Sequence, residues 1–373
     1  MLFRSPTYLL PSILLPTIFE MKINSSKRLL ELDALRGIAV VFVIFFHLTM
    51  GTEQSNYGFK LGVTGVDLFF VISGFVILLT LEKTHHWKDF VISRISRLYP
   101  TYWFCVSFTT LLILLSSIVK QQPLAKISTA YLANMTMFQA YLRVPDLDGS
   151  YWTMRVEMLF YLVMLFVFST RNLKKIELIG CLSLLPVIGQ HILLGTKYNS
   201  IALFISQIFP LISHFPLFLA GIILYKIKFD RPTVLRYLII VLCFTLQYHL
   251  FLDGGKARFF VSQTEYGCSL VFYCGVFMLY ANNALGFIVN QISVFLGKIS
   301  YSLYLVHEFI SLNIMMPILT KYFNIDFWIA AFGITFPIVI LIAFTIHQYI
   351  EKPSMSYIRS KIQSNAQPSP EQS

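Results

Sequence analysis

The sequence predicts an all-α integral membrane protein, a ten-transmembrane-helix bundle with both termini cytoplasmic. Composition is the first reason: of 373 residues, 56% are hydrophobic and only 13% charged, where a soluble domain carries about 25% charged residues. The second is that apolar segments of membrane-spanning length recur along the chain. The third is the sorting of basic residues. With the N-terminus inside, 20 of the 29 Lys and Arg fall on the cytoplasmic side, the asymmetry that orients membrane helices. The net charge of +11 is therefore assigned to orientation in a lipid bilayer. No basic run interleaved with aromatics points to nucleic acid.

The elements follow in order. Residues 1–27 are expected to be a tail, disordered or a misassigned extension. Pro6, Pro11 and Pro16 break its apolar stretch, and no small-residue cleavage site follows, so it is neither a span nor a signal peptide. Met21, with Lys22, Lys27 and Arg28 behind it, is a more natural beginning. Spans are expected at 34–50, 62–81, 100–119, 152–169, 177–194, 209–227, 232–251, 264–281, 292–319 and 325–349. The ninth is long enough to include a half-helix. Residues 82–99 are expected to form a cytoplasmic interfacial helix. There Phe90, Val91, Ile95 and Leu98 recur at roughly helical spacing, with Arg94 and Arg97 three apart. Residues 120–151 are expected outside, ending in the turn-rich stretch Arg143–Ser150. The bundle should close near 358, leaving 359–373 as a disordered Ser/Pro/Gln-rich tail. The five cysteines lie in apolar segments without metal-ligand or C-x-x-C spacing, and read as packing residues rather than disulfides or a metal site.

The polar residues inside the spans carry the functional argument, because ionisable groups in hydrocarbon are costly and usually functional. Arg36 and His47 lie eleven residues apart on the first span, ~16 Å along a helix. That places a titratable base well inside the membrane with a fixed positive charge at the mouth. Asp67 on the second span and Glu157 on the fourth are expected to share the outer half of the bundle with His47, and His307 to sit about ten residues from the cytoplasmic start of the ninth. Arg36, Arg94 and Arg97 share the cytoplasmic face. Guanidinium groups suit phosphates, and an imidazole held by a carboxylate can deprotonate a hydroxyl near neutral pH. Each residue also has an ordinary reading. His47 can cap a helix, Asp67 can cap a turn, Arg94 and Arg97 can be inside anchors, and Glu157 can pair with Arg155 or Arg36. His214, near Pro210 and Pro216, marks a broken helix. His347 and Glu351 read as a structural pair one turn apart.

Together these segments resemble the acyltransferase-3 family of integral membrane acyltransferases, of the surface-glycan O-acetyltransferase type. The resemblance runs over residues 28–358. It rests on Leu32-Asp33-Ala34-Leu35-Arg36-Gly37 with His47, and on Gly65-Val66-Asp67-Leu68-Phe69-Phe70 through Gly74-Phe75. Arg94-Ile95-Ser96-Arg97 supplies an R-x-x-R signature, and Ser150-Tyr151-Trp152 through Glu157, Phe160 and Tyr161 a fourth motif. Gly297 through Ser300-Tyr301, Tyr304 and His307 gives the fifth, and Tyr349-Ile350-Glu351-Lys352-Pro353 the closing one. Arg155 and Thr153 depart from the family pattern.

The resemblance implies catalytic roles for His47, Glu157 and Asp67, and donor binding by Arg36, Arg94 and Arg97. It also implies substrate contacts from Ser150, Trp152, Tyr301 and His307. The implied reaction moves an acyl group, acetyl by preference, from cytoplasmic acyl-CoA, with no permanently bound cofactor. The acceptor would be a hydroxyl of an extracytoplasmic carbohydrate: a polysaccharide, a lipopolysaccharide or a glycolipid. The protein would lie in the inner (plasma) membrane, and a homo-oligomer is compatible with the sequence. Two other readings stay open on the residues: a proton-coupled exporter, since His, Asp and Glu also build proton relays, and a non-catalytic assembly protein.

Overall fold

The computed structural model describes residues 29–121, 123–254 and 256–366. The expected N-terminal tail and residues 367–373 lie outside them. All secondary structure among the described residues is helical. Seven stretches are long and apolar enough to cross a membrane: Leu30–Thr49, Phe59–Glu82, Trp87–Val119, Gly149–Ser169, Leu173–Leu194, Gln291–Tyr322 and Ile329–Ile358. The other three expected segments are also helical. Phe215–Phe229 and Val234–His249 have 15 and 16 residues, short of the ~20 that span a bilayer unaided. Gln263–Ala281 begins on a polar turn, where Ser262 and Glu265 form a capping box.

For the site, nine helices matter: α1 (Leu30–Thr49), α2 (Gly65–Glu82), α3 (Trp87–Val119), α4 (Trp152–Ser169), α5 (Phe215–Phe229), α6 (Val234–His249), α7 (Gln263–Ala281), α8 (Gln291–Phe309) and α9 (Phe336–Ile346). Two differences from the expected boundaries have physical causes. First, α3 is one helix of 33 residues running through Pro100, not an interfacial helix followed by a span. Proline removes one backbone donor. Here contacts on both sides of it hold the helix in line: Tyr99 donates its hydroxyl to the Thr136 carbonyl at 3.2 Å, and Trp103 Nε1 donates to that of Met135 at 2.9 Å. Second, the terminal helix continues from Lys352 to Ala366, so the expected tail is helical through 366. The broken helix around His214 is present: Asn199–Ile208 ends, Pro210–Ser213 makes a short tight turn, and His214 caps α5.

Close helix crossings set the frame. A Cβ on Gly37 of α1 would lie 2.3 Å from the Ser293 carbonyl oxygen, and one on Gly297 of α8 would lie 1.8 Å from that of Asp33. The α2–α5 crossing is reciprocal in the same way: Gly74 against the Phe218 carbonyl and Gly221 against that of Val71, both at 2.0 Å. In lipid, where apolar burial gives helices little reason to associate, such small-residue contacts provide the packing. Phe160 of α4 stacks on Phe218 of α5 with centroids 4.2 Å apart. Beyond Phe309 the α8 chain loosens into π turns at Ile310–Met315 and Ile318–Tyr322. Near the other end of the last span, Glu351 accepts from Ser302 Oγ at 2.7 Å and lies 3.0 Å from His347 Nδ1. The expected structural pair thus also fastens α8.

Candidate active site

Helix α1 carries chemistry at both ends. Near its start, Arg36 lines a cavity of about 70 Å³ together with Arg94 and Arg97 of α3, Ser73 of α2, Glu157 and Tyr161 of α4, and Tyr301 and Tyr304 of α8. Three guanidinium groups thus face one carboxylate. Arg36 Nη1 donates to Asp33 Oδ1 at 3.4 Å. Arg94 is only 8% exposed and lies over the Phe90 and Tyr161 rings at 5.8 and 6.0 Å. Its Nη2 donates to Ser93 Oγ at 3.0 Å, but its buried Nε has no hydrogen-bond partner. A buried unmade donor costs about 1–3 kcal/mol, and an anionic acceptor entering the cavity would relieve it. Glu157 accepts from the Tyr161 hydroxyl and from Ser73 Oγ at 3.3 Å.

Near the other end, His47 occupies the last turn of α1 and lines a second cavity, of about 260 Å³. Val66 and Tyr304 line both cavities, so a wall one side chain thick separates them. Tyr304 is held there by a 3.1 Å hydrogen bond between its hydroxyl and that of Thr153. His47 Nδ1 lies 2.8 Å from the Val43 carbonyl, and His307 Nδ1 lies 2.8 Å from that of Tyr304. A carbonyl only accepts, so the network assigns the proton to Nδ1 in both rings. His307 Nε2, 3.2 Å from His47 Nδ1, is then a second acceptor for the same His47 N–H. That leaves His47 Nε2 as the basic nitrogen, 3.3 Å from Glu308 Oε2. The Nε2 lone pair and the carboxylate together present a proton-accepting edge, and the carboxylate stands where it would stabilise the imidazolium that forms.

Backbone design brings Glu308 there. Gly149 leaves room for the carboxylate, since a Cβ at 149 would lie 1.9 Å from Glu308 Oε1. Asp148 clamps the same place. Its Oδ1 accepts from Ser150 N at 2.9 Å and Ser150 Oγ at 2.6 Å, and its Oδ2 accepts from Phe309 N at 2.9 Å. Burial pushes the Asp148 carboxyl up to about 6, against the pull of these donors. The loop that precedes α4 is thereby tied to α8 one residue after Glu308.

The structure redistributes the expected residues. His47, His307, Asp67, Ser150 and Trp152 line or adjoin the larger cavity, and Arg36, Arg94, Arg97 and Tyr301 the smaller. Glu157 is not beside His47. It lies five residues beyond Trp152 on α4, ~7.5 Å deeper along the helix, and faces the arginines. Neither Asp67 nor Glu157 is the carboxylate that meets the imidazole; Glu308 is. Asp67 is engaged from α7 by the Tyr266 hydroxyl. The Ser150 hydroxyl is committed to Asp148, and the Tyr301 hydroxyl donates to the Leu98 carbonyl at 2.9 Å. Glu308, Asp148 and Gly149 were not singled out in the sequence. The signal for Glu308 was its position beside His307; for Asp148, its position two residues before Ser150 at a helix start.

Comparisons with known proteins address the same region. The model of the acyltransferase domain family Acyl_transf_3 matches residues 29–346. Putative acetyltransferase ORF330 of Acidianus two-tailed virus is 24% identical over 290 residues, covering 73% of this chain and 80% of the viral protein. Putative O-acetyltransferase SACOL0978 of Staphylococcus aureus is 28% identical over 324 residues, 74% of this chain and 49% of that protein. Putative peptidoglycan O-acetyltransferase YrhL of Bacillus subtilis is 26% identical over 315 residues, 74% and 47% respectively. The chain thus spans about half the length of these bacterial relatives. No solved structure matches. With a matched domain that contains both cavities, the chain belongs to this acyltransferase family and is an acyltransferase.

Proposed function

We propose that the protein is a membrane O-acyltransferase that takes an acetyl group from acyl-CoA and transfers it to a hydroxyl of an extracytoplasmic carbohydrate. The proposal includes ten spans, cytoplasmic termini and an inner-membrane location, in keeping with the distribution of Lys and Arg. One observation carries the reading: an arginine-lined cavity and a histidine-lined cavity stand back to back, divided by Val66 and Tyr304. The first offers guanidinium donors, one of them unpaired, to a phosphorylated donor. The second offers the His47–Glu308 edge to an alcohol. His47 Nε2 takes the hydroxyl proton as the alcohol oxygen attacks the thioester carbonyl. Glu308 stabilises the imidazolium, and CoA leaves as the thiol after receiving that proton. The bacterial relatives are named as O-acetyltransferases, which supports acetyl as the group.

The test is transfer from radiolabelled acetyl-CoA to surface glycan in membranes carrying wild type or His47→Ala. Loss of transfer by roughly 10²–10⁴-fold is expected for a general base. Equal labelling by both proteins would remove His47 from the mechanism.

A further inference from the structure

The larger cavity holds more than the His47–Glu308 pair. Its lining includes three side chains that are each more than nine-tenths buried: Asp67 of α2, His214 at the start of α5 and Gln247 of α6. Each has one polar atom without a hydrogen-bond partner: Asp67 Oδ2, His214 Nδ1 and Gln247 Oε1. Remaining polar groups of two of them serve the frame. Gln247 Nε2 donates to the Ser213 carbonyl at 3.2 Å, and Tyr266 hydrogen-bonds the Asp67 carboxyl. One buried orphan is an exception that needs explaining. Three in one cavity describe a surface waiting for a ligand.

Their chemistry says which ligand. The carboxylate and amide oxygens only accept, and the imidazole nitrogen accepts in one tautomer. The missing partner is therefore a set of donors, as several hydroxyl groups on one ring provide. A phosphate or carboxylate, which only accepts, would leave them unmet. No Lys or Arg is among the lining residues, whereas the carboxyl groups of Asp67 and Glu308 are, so an anion would find no cationic partner there. The Trp152 indole, 5.5 Å from the His214 ring, adds an aromatic face of the kind that packs on the C–H side of a sugar.

We infer that this cavity is a subsite for an uncharged polyhydroxyl acceptor, read by Asp67, His214 and Gln247 and closed to anionic sugars. The inference rests on the proposed function only in taking the cavity's ligand to be the acceptor.

The test is saturation-transfer NMR on the full-length protein in nanodiscs, with methyl N-acetylglucosaminide and methyl glucuronide as probes. The neutral glycoside should be saturated and the glucuronide not. Gln247→Leu and Asp67→Asn should each weaken the neutral signal roughly fivefold or more, the scale of one lost hydrogen bond. Gln247→Lys, which places an ammonium in the cavity, should gain a glucuronide signal, a gain that misfolding does not imitate. Absence of neutral saturation, equal saturation of both glycosides, or a neutral signal unchanged in both loss variants overturns the inference. CoA release from acetyl-CoA by the same wild-type preparation separates the two proposals. Release without sugar saturation defeats this inference alone, whereas sugar saturation without release defeats the proposed transfer reaction.

Discussion

Gly149→Ala isolates the carboxylate partner of His47 without touching either residue. Gly149 has no left-handed backbone angle, so alanine fits its conformation and removes freedom from the unfolded chain, worth ~0.4–1 kcal/mol of stability. The added methyl would sit 1.9 Å from Glu308 Oε1 and 2.5 Å from its Cδ, whereas real contacts stay beyond 3.0 Å. The carboxylate is the free end of a side chain and moves more easily than the backbone around it. It must shift by roughly 1 Å, and a misplacement of that size in a catalytic group costs up to ~10²-fold in rate. That equals about 2.7 kcal/mol of transition-state stabilisation. The assay is initial-rate transfer from labelled acetyl-CoA, with protein amount normalised by immunoblot and folding checked by thermal shift. The expected result is a normal melting temperature with activity down ~10²-fold, approaching that of Glu308→Gln. A Gly149→Ala protein with wild-type rate beside an impaired Glu308→Gln would show that the precise seat of the carboxylate does not matter, and would refute the reasoning.

Other outcomes follow from the same geometry. Arg94→Lys loses the buried Nε–H and the planar fork, and should raise KM for acetyl-CoA about tenfold with insertion unchanged. Tyr304→Ala removes the wall between the cavities, and should raise acceptor-independent CoA release measured with a thiol reagent; a fall would argue that Tyr304 serves transfer itself. Gly221→Leu drives a side chain into the Val71 carbonyl, 2.0 Å from the first added atom, and should abolish detergent-stable expression. Asp148 gives a pH signature. Burial raises its folded value to about 6, above its value in an unfolded chain, so its stabilising contribution is full at low pH and is lost as pH rises through about 6. Melting temperature should therefore fall between about pH 4 and pH 6 in wild type relative to Asp148→Asn, a window bounded by the ordinary carboxyl value of 3.8 and the folded value of about 6.

Much of the architecture was legible because hydrocarbon imposes it: apolar runs must be helical there, and all ten expected segments are. Pro100 misled, because a proline inside a span is tolerated when neighbouring groups hold the helix, as Tyr99 and Trp103 do. The two cavities were half legible. Counting residues along the first span put His47 deep in the membrane with Arg36 at the mouth; in the structure His47 stands in the last turn of α1, and the two residues line different cavities. The same counting put Asp67, Glu157 and His47 at one depth, and failed for Glu157, which lies five residues beyond Trp152 along α4 and lines the arginine cavity. Glu308 was hidden too. A helical periodicity argument sets residues 307 and 308 about 100° apart, yet both reach His47, the carboxylate of Glu308 in the room that Gly149 leaves it.

The glycine crossing of α1 over α8 has a consequence for what can be carried. Arg36 and His47 are fixed to one stiff rod, and Tyr301, Tyr304 and Glu308 to the rod it is pinned against. The interval between charge and base, ~16 Å by helical pitch, therefore works as a ruler that thermal motion scarcely alters. Under the proposed reaction, a donor held by its anionic end at the arginines would need a slender tether of about that length to bring its acyl group to the imidazole.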